Sequence, residues 1–366
     1  MELLQENLFS SAFGAEDVAS RQMREAVGLW RRLYEGRLGP GRDPCLRLAY
    51  TVVRKLVRAV FAEYVPEGAL AALPHRRAME LAMITGECFL KPIPGDPLKW
   101  LPVDRSGILV FNRDALGEPV DVGLVERQKQ GRHYWTLLER RTCGDGVLSL
   151  ENRLFKSPNA GDLGRELPLS AHPDYAQLPR QVLLETPGGV GLARLKMPMG
   201  NCVDGSAEGI SVYAAAVDLM DAAAENEFQL KREFQNGASR LVVSRDLLDR
   251  GQLKDDLFVA LDESPEAVGI TVFNPQLREQ SYLNRQQAYL RSIENVLGLK
   301  RGLLSQVEAV DRTATEITSS EGEYMTAILE LREAWEAAAK QALRLQAALT
   351  GTEIPEPVFP WGDGIL

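Results

Sequence analysis

Apolar positions recur every three or four residues through most of this chain, but in its middle they shrink to brief runs divided by turn residues. That pattern alone predicts helical flanks around a β-rich module. Residues 16–38 and 44–64 read as helices, and the second carries Leu46, Tyr50, Val53, Val57, Val60 and Tyr64 at alternating steps of four and three, which would keep them on one face. Gly36, Gly39, Pro40, Gly41 and Pro44 punctuate the gap between them. A shorter helix is expected over about 74–84. From Cys88 to Thr186 the runs Gly107–Phe111, Val120–Val125, His133–Leu138, Val147–Leu150 and Gln181–Leu184 read as strands. Asp145-Gly146 between two of them is a hairpin turn, since such a turn needs positive φ.

Helical spacing returns at Ser211 and runs to Gln235, where Val212, Ala216, Leu219, Ala223, Leu230 and Phe234 form one stripe and Asp218, Asp221 and Glu225 another. Its length predicts a rod of about 38 Å. Lys231 and Arg232 suit the negative pole of the helix, and Asn236-Gly237 marks its stop. A strand, Arg240–Ser244, opens a compact insert that closes with Val268–Phe273. Pro275 then begins a helix bearing Leu283, Leu290, Ile293 and Leu297, flanked by Tyr282, Tyr289 and Val296 and ended by Gly298 and Gly302. The last helix, 320–349, has the cleanest period: Tyr324, Ile328, Leu331, Trp335, Ala338, Ala342, Leu345 and Leu349 make a seam that needs another helix against it, within one subunit or between subunits. Glu330, Glu333 and Glu336 lie off that seam and are expected to face solvent or a channel.

A chain of 366 residues with 45% hydrophobic and 25% charged content has ordinary globular composition, enough for two domains or one elongated subunit. No apolar run is long enough to span a membrane, and the first residues lack a secretory layout, so a cytosolic start is expected. Cysteines at 45, 88, 143 and 202 and histidines at 75, 133 and 172 are too scattered for a disulfide framework or a zinc site. The net charge of −9 argues against wrapping nucleic acid by phosphate neutralisation, though not against letting it pass. Segment 21–58 is the exception, with ten basic residues against three acids. It reads either as a solvated helical face or as a surface meeting nucleic acid or an acidic protein.

Candidate chemistry is sparse. Pro187-Gly188-Gly189-Val190-Gly191 lacks the Lys-Ser or Lys-Thr of a phosphate cradle and reads as a glycine turn between strands. Asp204-Gly205-Ser206-Ala207-Glu208 lacks the glycines of a nucleophile elbow. Asp255-Asp256 and Asp262-Glu263 read as solvated acids before they read as metal ligands. The sparse His and Cys offer no convergent catalytic set, so no enzyme, catalytic residue, metal or cofactor is expected, and with no ATP-binding signature any movement of DNA would draw on a separate motor.

Thr313-Ala314-Thr315-Glu316 fits a capping box, in which the threonine oxygen takes a backbone N–H and the glutamate reaches back. It also stands between two long helices, downstream of Lys196-Met197-Pro198, Asn201, Ser211-Val212-Tyr213 and Phe234-Gln235-Asn236-Gly237-Ala238. On those residues, positions 190–350 resemble the portal protein of tailed bacteriophages, in the branch with a Thr-Ala-Thr-Glu loop before its last long helix; residues 1–190 fit only in outline. The resemblance implies an α+β fold: an elongated portal-type subunit with long stem and channel helices, a β-rich part of the wing and a small α/β clip. It implies a wing over 1–205, a stem helix over 206–237, a clip over 238–273, a second stem helix over 274–300, a channel loop over 301–318, a long wing helix over 319–349 and the start of a C-terminal or crown region over 350–366.

The resemblance also implies roles. Val310, Asp311, Arg312, Thr313, Ala314, Thr315 and Glu316 would form the constriction, and Asp218, Asp221 and Glu225 would line the stem. Asp246, Asp249, Asp255, Asp256, Asp262 and Glu263 would supply the docking face of the clip. Twelve copies would close a ring at one capsid vertex of the virion, assembled in the host cytoplasm. Its partners would be the terminase packaging motor, head-completion or adaptor proteins, the major capsid protein and double-stranded DNA passing through, with no membrane and no cofactor. The rival expectation is a helical protein-binding scaffold or adaptor that never contacts DNA.

Overall fold

The computed structural model describes residues 2–37, 46–185, 189–237, 240–244, 258–261, 270–273, 276–306 and 314–362. The fold is mixed α+β, and its strands pair mostly antiparallel. Two compact units divide the chain: one holds the described residues to Arg37, Arg47–Val217 and those from Ala314 onward, the other those from Asp218 to Gln306.

In the first unit, helices α1 (Glu2–Phe13), α2 (Arg21–Glu35), α3 (Leu48–Val60) and α4 (His75–Thr85) precede the strands. The Ser20 hydroxyl accepts the Met23 amide at 3.1 Å to start α2, and Gly36 ends it in the left-handed region. The inward face of α3 differs from the predicted one: Ala49, Val52, Val53, Leu56 and Val60 are buried, Val57 is half-buried and Tyr50 is exposed. Packing against both α2 and α4 requires a stripe centred between two neighbours, which a single four-three series does not mark. Helix α1 lies ahead of the first predicted helix.

Strands β1 (Glu87–Ile93), β2 (Lys99–Asp104) and β9 (Ala193–Lys196) form an antiparallel sheet in the order β2-β1-β9, with Cys88 opposite both Asp104 and Leu195. A second, six-stranded sheet contains β3 (Ile108–Arg113), β4 (Pro119–Gln130), β5 (His133–Gly144), β6 (Val147–Ser157), β7 (Arg165–Leu167) and β8 (Gln181–Glu185). It meanders from β3 to β6, and β7 and β8 share opposite ends of β6. All five predicted strands are present, and Asp145 and Gly146, at φ 50° and 78°, close the turn that pairs Gly144 with Val147. Alternation sorts the two faces of this sheet. Leu109, Leu138 and Phe155 meet Leu8 and Phe9 of α1, while Ile108, Val110, Val122 and Leu124 meet Phe89 of β1 and Val190.

The second unit contains α5 (Val217–Asn236), α6 (Glu279–Val296) and a three-stranded sheet of β10 (Arg240–Ser244), β11 (Phe258–Leu261) and β12 (Ile270–Phe273). In it β10 is central, parallel to β11 and antiparallel to β12. The last helix, α7 (Ala314–Thr350), belongs to the first unit, where Ile328, Leu331, Trp335, Ala338, Ala342 and Leu345 of its predicted seam are buried. Only the ends depart, with Tyr324 half-buried and Leu349 exposed. Trp335 stands edge-on to Phe61, with ring centroids 5.9 Å apart, and its indole N–H donates to the Tyr64 hydroxyl at 3.4 Å. The seam is therefore covered within one subunit.

Candidate functional site

The segment that carries the resemblance, from Lys196 to Tyr213, is pinned by a buried polar network. Gly86 and Gly209 pass so closely that a Cβ on either would run into the other's carbonyl group, which lets the Glu87 carboxylate accept the Gly209 amide at 2.6 Å. The Arg194 guanidinium donates to Glu87 at 2.5 Å, to Glu118 at 2.9 Å and to the Ala207 carbonyl at 3.2 Å. Beside it Arg105 donates to Glu208 at 3.2 Å and to Asp17 at 3.3 Å, and Arg113 reaches Glu208 at 3.4 Å. Burial alone would raise the Glu87 carboxyl, but Arg194 and Arg105, with the Gly209 amide, hold it below its ordinary value. Burial likewise opposes the charge of Arg105 and Arg194, and their carboxylates outweigh it, so both stay firmly protonated.

The quoted motif residues themselves work as struts. The Asn201 amide donates to Ser206 Oγ at 3.0 Å and its carbonyl oxygen accepts the Val203 amide at 2.8 Å. Ser211 Oγ donates to the Met83 carbonyl at 2.9 Å, and the Tyr213 hydroxyl to the Trp30 carbonyl at 2.8 Å. Around the glycine segment, Arg141 donates to the carbonyls of Val190 and Gly191 at 3.4 and 2.8 Å, so carbonyl oxygens face that guanidinium. The turn reading fits the described residues Gly189 to Gly191, where both glycines have positive φ. An open cleft of about 320 Å³ next to Arg194 is lined by charges of both signs, Asp114, Glu118 and Arg344, and Arg194 and Glu118 already pair with each other. Pairs of this kind hold opposite charges in place against the cost of burial. Among the described residues no cluster of His, Cys, Asp and Glu could hold a metal ion.

In the second unit α5 and α6 run antiparallel. The Asn226 amide donates to the Tyr282 carbonyl at 3.0 Å and to Gln286 Oε1 at 2.8 Å, and one helical stretch further along Glu233 pairs with Arg278 at 2.9 Å. Asn226 and Gln286 are buried, so this pair has a polar register lock among its apolar contacts. Past α6, the buried Glu294 carboxylate accepts the Ser305 amide at 2.8 Å and the Ser305 hydroxyl at 2.7 Å, fixing the course of the chain toward residue 306. Sequence analysis missed Asn226, Gln286 and Glu294. Gln286 falls four positions before Leu290 on the apolar stripe, a polar interruption that was legible as a packing signal.

The predicted site residues separate into three groups. Asp218 and Glu225 are exposed on α5, two turns apart, and Glu225 accepts from Gln229 at 3.2 Å; Asp221 is half-buried and engaged. Ala314, Thr315 and Glu316 form the first turn of α7. Val310, Asp311, Arg312 and Thr313, and all of Asp246, Asp249, Asp255, Asp256, Asp262 and Glu263, lie outside the described residues. On α7, Glu330 and Glu333 are exposed as expected, whereas Glu336 is half-buried. It accepts the Trp361 indole N–H at 2.7 Å, because the C-terminal segment folds back over this part of the helix. Phe234 and Leu283, expected on packed stripes, are 48% and 47% exposed.

Compared with known proteins, the chain matches no family model and no curated protein. Among the described residues no helix is long and apolar enough to cross a membrane.

Proposed function

We propose that this chain is the subunit of a ring-shaped channel for double-stranded DNA, the part played by portal proteins in tailed bacteriophages. One observation carries the proposal. Two antiparallel helices, α5 and α6, bracket a small three-stranded sheet, and the chain then enters a helix of 37 residues through Thr-Ala-Thr-Glu and buries that helix's seam in the first unit. That order supports a stem role for the helix pair, a clip role for the sheet and a wing role for the first unit. The exposed acids Asp218 and Glu225 support a wall that repels phosphate, so that a polyanion slides instead of binding.

In this reading the mechanism is physical. Twelve copies close around a bore at a capsid vertex, residues 310–316 form its constriction, and the clip docks first the terminase motor and later the head-completion proteins. The major capsid protein surrounds the wing, in the virion and earlier in the host cytoplasm. Particle images and a mass measurement of the purified chain test this: axially perforated rings are expected. Lone molecules, or solid clusters without a bore, overturn it and leave a protein-binding adaptor as the better account.

A further inference from the structure

Helix α3 presents only positive charge to solvent. Its thirteen residues include no acid, and Arg54, Lys55 and Arg58 are all exposed, next to the exposed Tyr50. Two arginines of α2 differ from them: Arg21 pairs with Glu25 at 2.8 Å, and Arg31 with Glu35 at 3.3 Å and Asp104 at 3.5 Å. Among the described residues neither Arg54 nor Arg58 has any such partner. The basic segment 21–58 is thus part self-neutralised and part open, and Arg54 and Arg58 of α3 belong to the open part, whereas Lys55 is already engaged.

The opposite charge stands on α7. Glu323, Glu330 and Glu333, spaced by steps that keep them on one side, are exposed together with Leu329, and no partner of these three carboxylates is found among the described residues. From Glu323 to Glu333 the stripe is about 15 Å long, and from Tyr50 to Arg58 about 12 Å. Both helices belong to the same compact unit and touch where Arg332 donates to the Val60 carbonyl at 3.2 Å. Even so, among the described residues neither Arg54 nor Arg58 pairs with Glu323, Glu330 or Glu333 inside one copy. Two stripes of similar length and opposite sign, each with one exposed apolar side chain, match each other across two copies.

We infer that the cationic face of α3 docks against the acidic stripe of α7 on a second copy of this chain. The inference rests on the ring proposed above and names its subunit contact. Because the contact joins two different surfaces, it is head-to-tail and repeats until the rotation closes. Single exposed pairs contribute little, and several in one patch orient the encounter and set the register.

Charge reversal tests it in the full-length chain, with particle mass and images as readout. Arg54→Glu with Arg58→Glu, and separately Glu330→Lys with Glu333→Lys, are each expected to weaken ring assembly by about tenfold or more. Mixing the two variants, or combining all four substitutions in one chain, is expected to restore closed rings, which also shows that the variants fold. Wild-type rings with both variants assembling normally would overturn the contact and leave the ring intact. Failure of both the mixture and the fourfold variant to restore rings would overturn it as well. So would variants that keep their rings but lose nucleic-acid binding at low salt, since α3 would then face nucleic acid. A wild-type chain that forms no ring at all would instead remove the parent proposal.

Discussion

Tyr213 donates its hydroxyl proton to the Trp30 carbonyl at 2.8 Å across 183 positions of sequence, and both side chains are buried. Burial pushes the Tyr213 hydroxyl well above its ordinary value, so it remains a donor throughout the physiological range. The contact ties the end of the segment bearing the resemblance to the core of α2.

Tyr213→Phe removes this second hydrogen bond to the Trp30 carbonyl, which keeps its place in the backbone ladder of α2. The expected loss is about 0.5–1.5 kcal/mol, read as a lower denaturant midpoint at constant slope. A midpoint that does not move would mean that the hydroxyl adds nothing to the anchorage of this segment.

Glu87→Gln removes the carboxylate opposite Arg194 and leaves a buried guanidinium poorly compensated, which should cost about 3–5 kcal/mol near neutral pH. The Glu87 carboxyl is held below its ordinary value of 4.5, so its contribution is complete above about pH 4.5 and disappears as pH falls through the lower folded value. Acid titration should therefore bring the stabilities of the wild type and the glutamine variant together at low pH. A constant difference would contradict the assignment.

His75 acts in the same direction in a higher pH window. It lies between Phe61 and Tyr64, at centroid distances of 4.9 and 5.2 Å, and burial lowers its pKa below 6.5 even though the Leu73 carbonyl opposes the shift. The unfolded chain then binds the proton more readily, so stability should fall as pH drops from about 6.5 toward the depressed folded value. Melting temperatures of wild type and His75→Phe, compared at about pH 5 and pH 8, should show a smaller pH dependence in the phenylalanine variant.

Trp335→Ala empties the centre of the α7 seam, where the indole is fully buried. A loss of about 3–5 kcal/mol is expected by thermal or chemical unfolding. An effect under about 1 kcal/mol would place the main anchorage of α7 elsewhere on its seam.

Replacing Glu316, or shortening residues 310–316, should leave ring assembly intact while DNA filling or retention falls in a packaging assay. Normal filling and retention after the deletion would remove the constriction role from that segment.

Much of the fold was legible because burial is periodic. The five short apolar runs became β3, β4, β5, β6 and β8, and the four-three series from Ile328 to Leu345 became the buried seam of α7. The face of α3 was not legible, since a helix with several neighbours buries a stripe set by their placement. Phe234 and Leu283 show the same limit, because apolar spacing indicates which residues can be covered without showing that anything covers them. The candidate site was read through a resemblance, and the described part of it adds Asn226, Gln286 and Glu294, which composition had left as ordinary polar residues.

By itself the sequence determined where the chain turns helical or extended, the hairpin at Asp145-Gly146 and the apolar seam of the last helix, because these follow from side-chain spacing and local backbone preference. The tertiary structure alone decided that Glu87 meets Arg194 over 107 positions, that Arg105 meets both Asp17 and Glu208, and that Glu336 turns to Trp361 while Glu330 and Glu333 remain exposed. In sequence a charged side chain looks solvated, since water is its default partner. Only chain closure, by bringing distant segments together in a dry interior, gives it another.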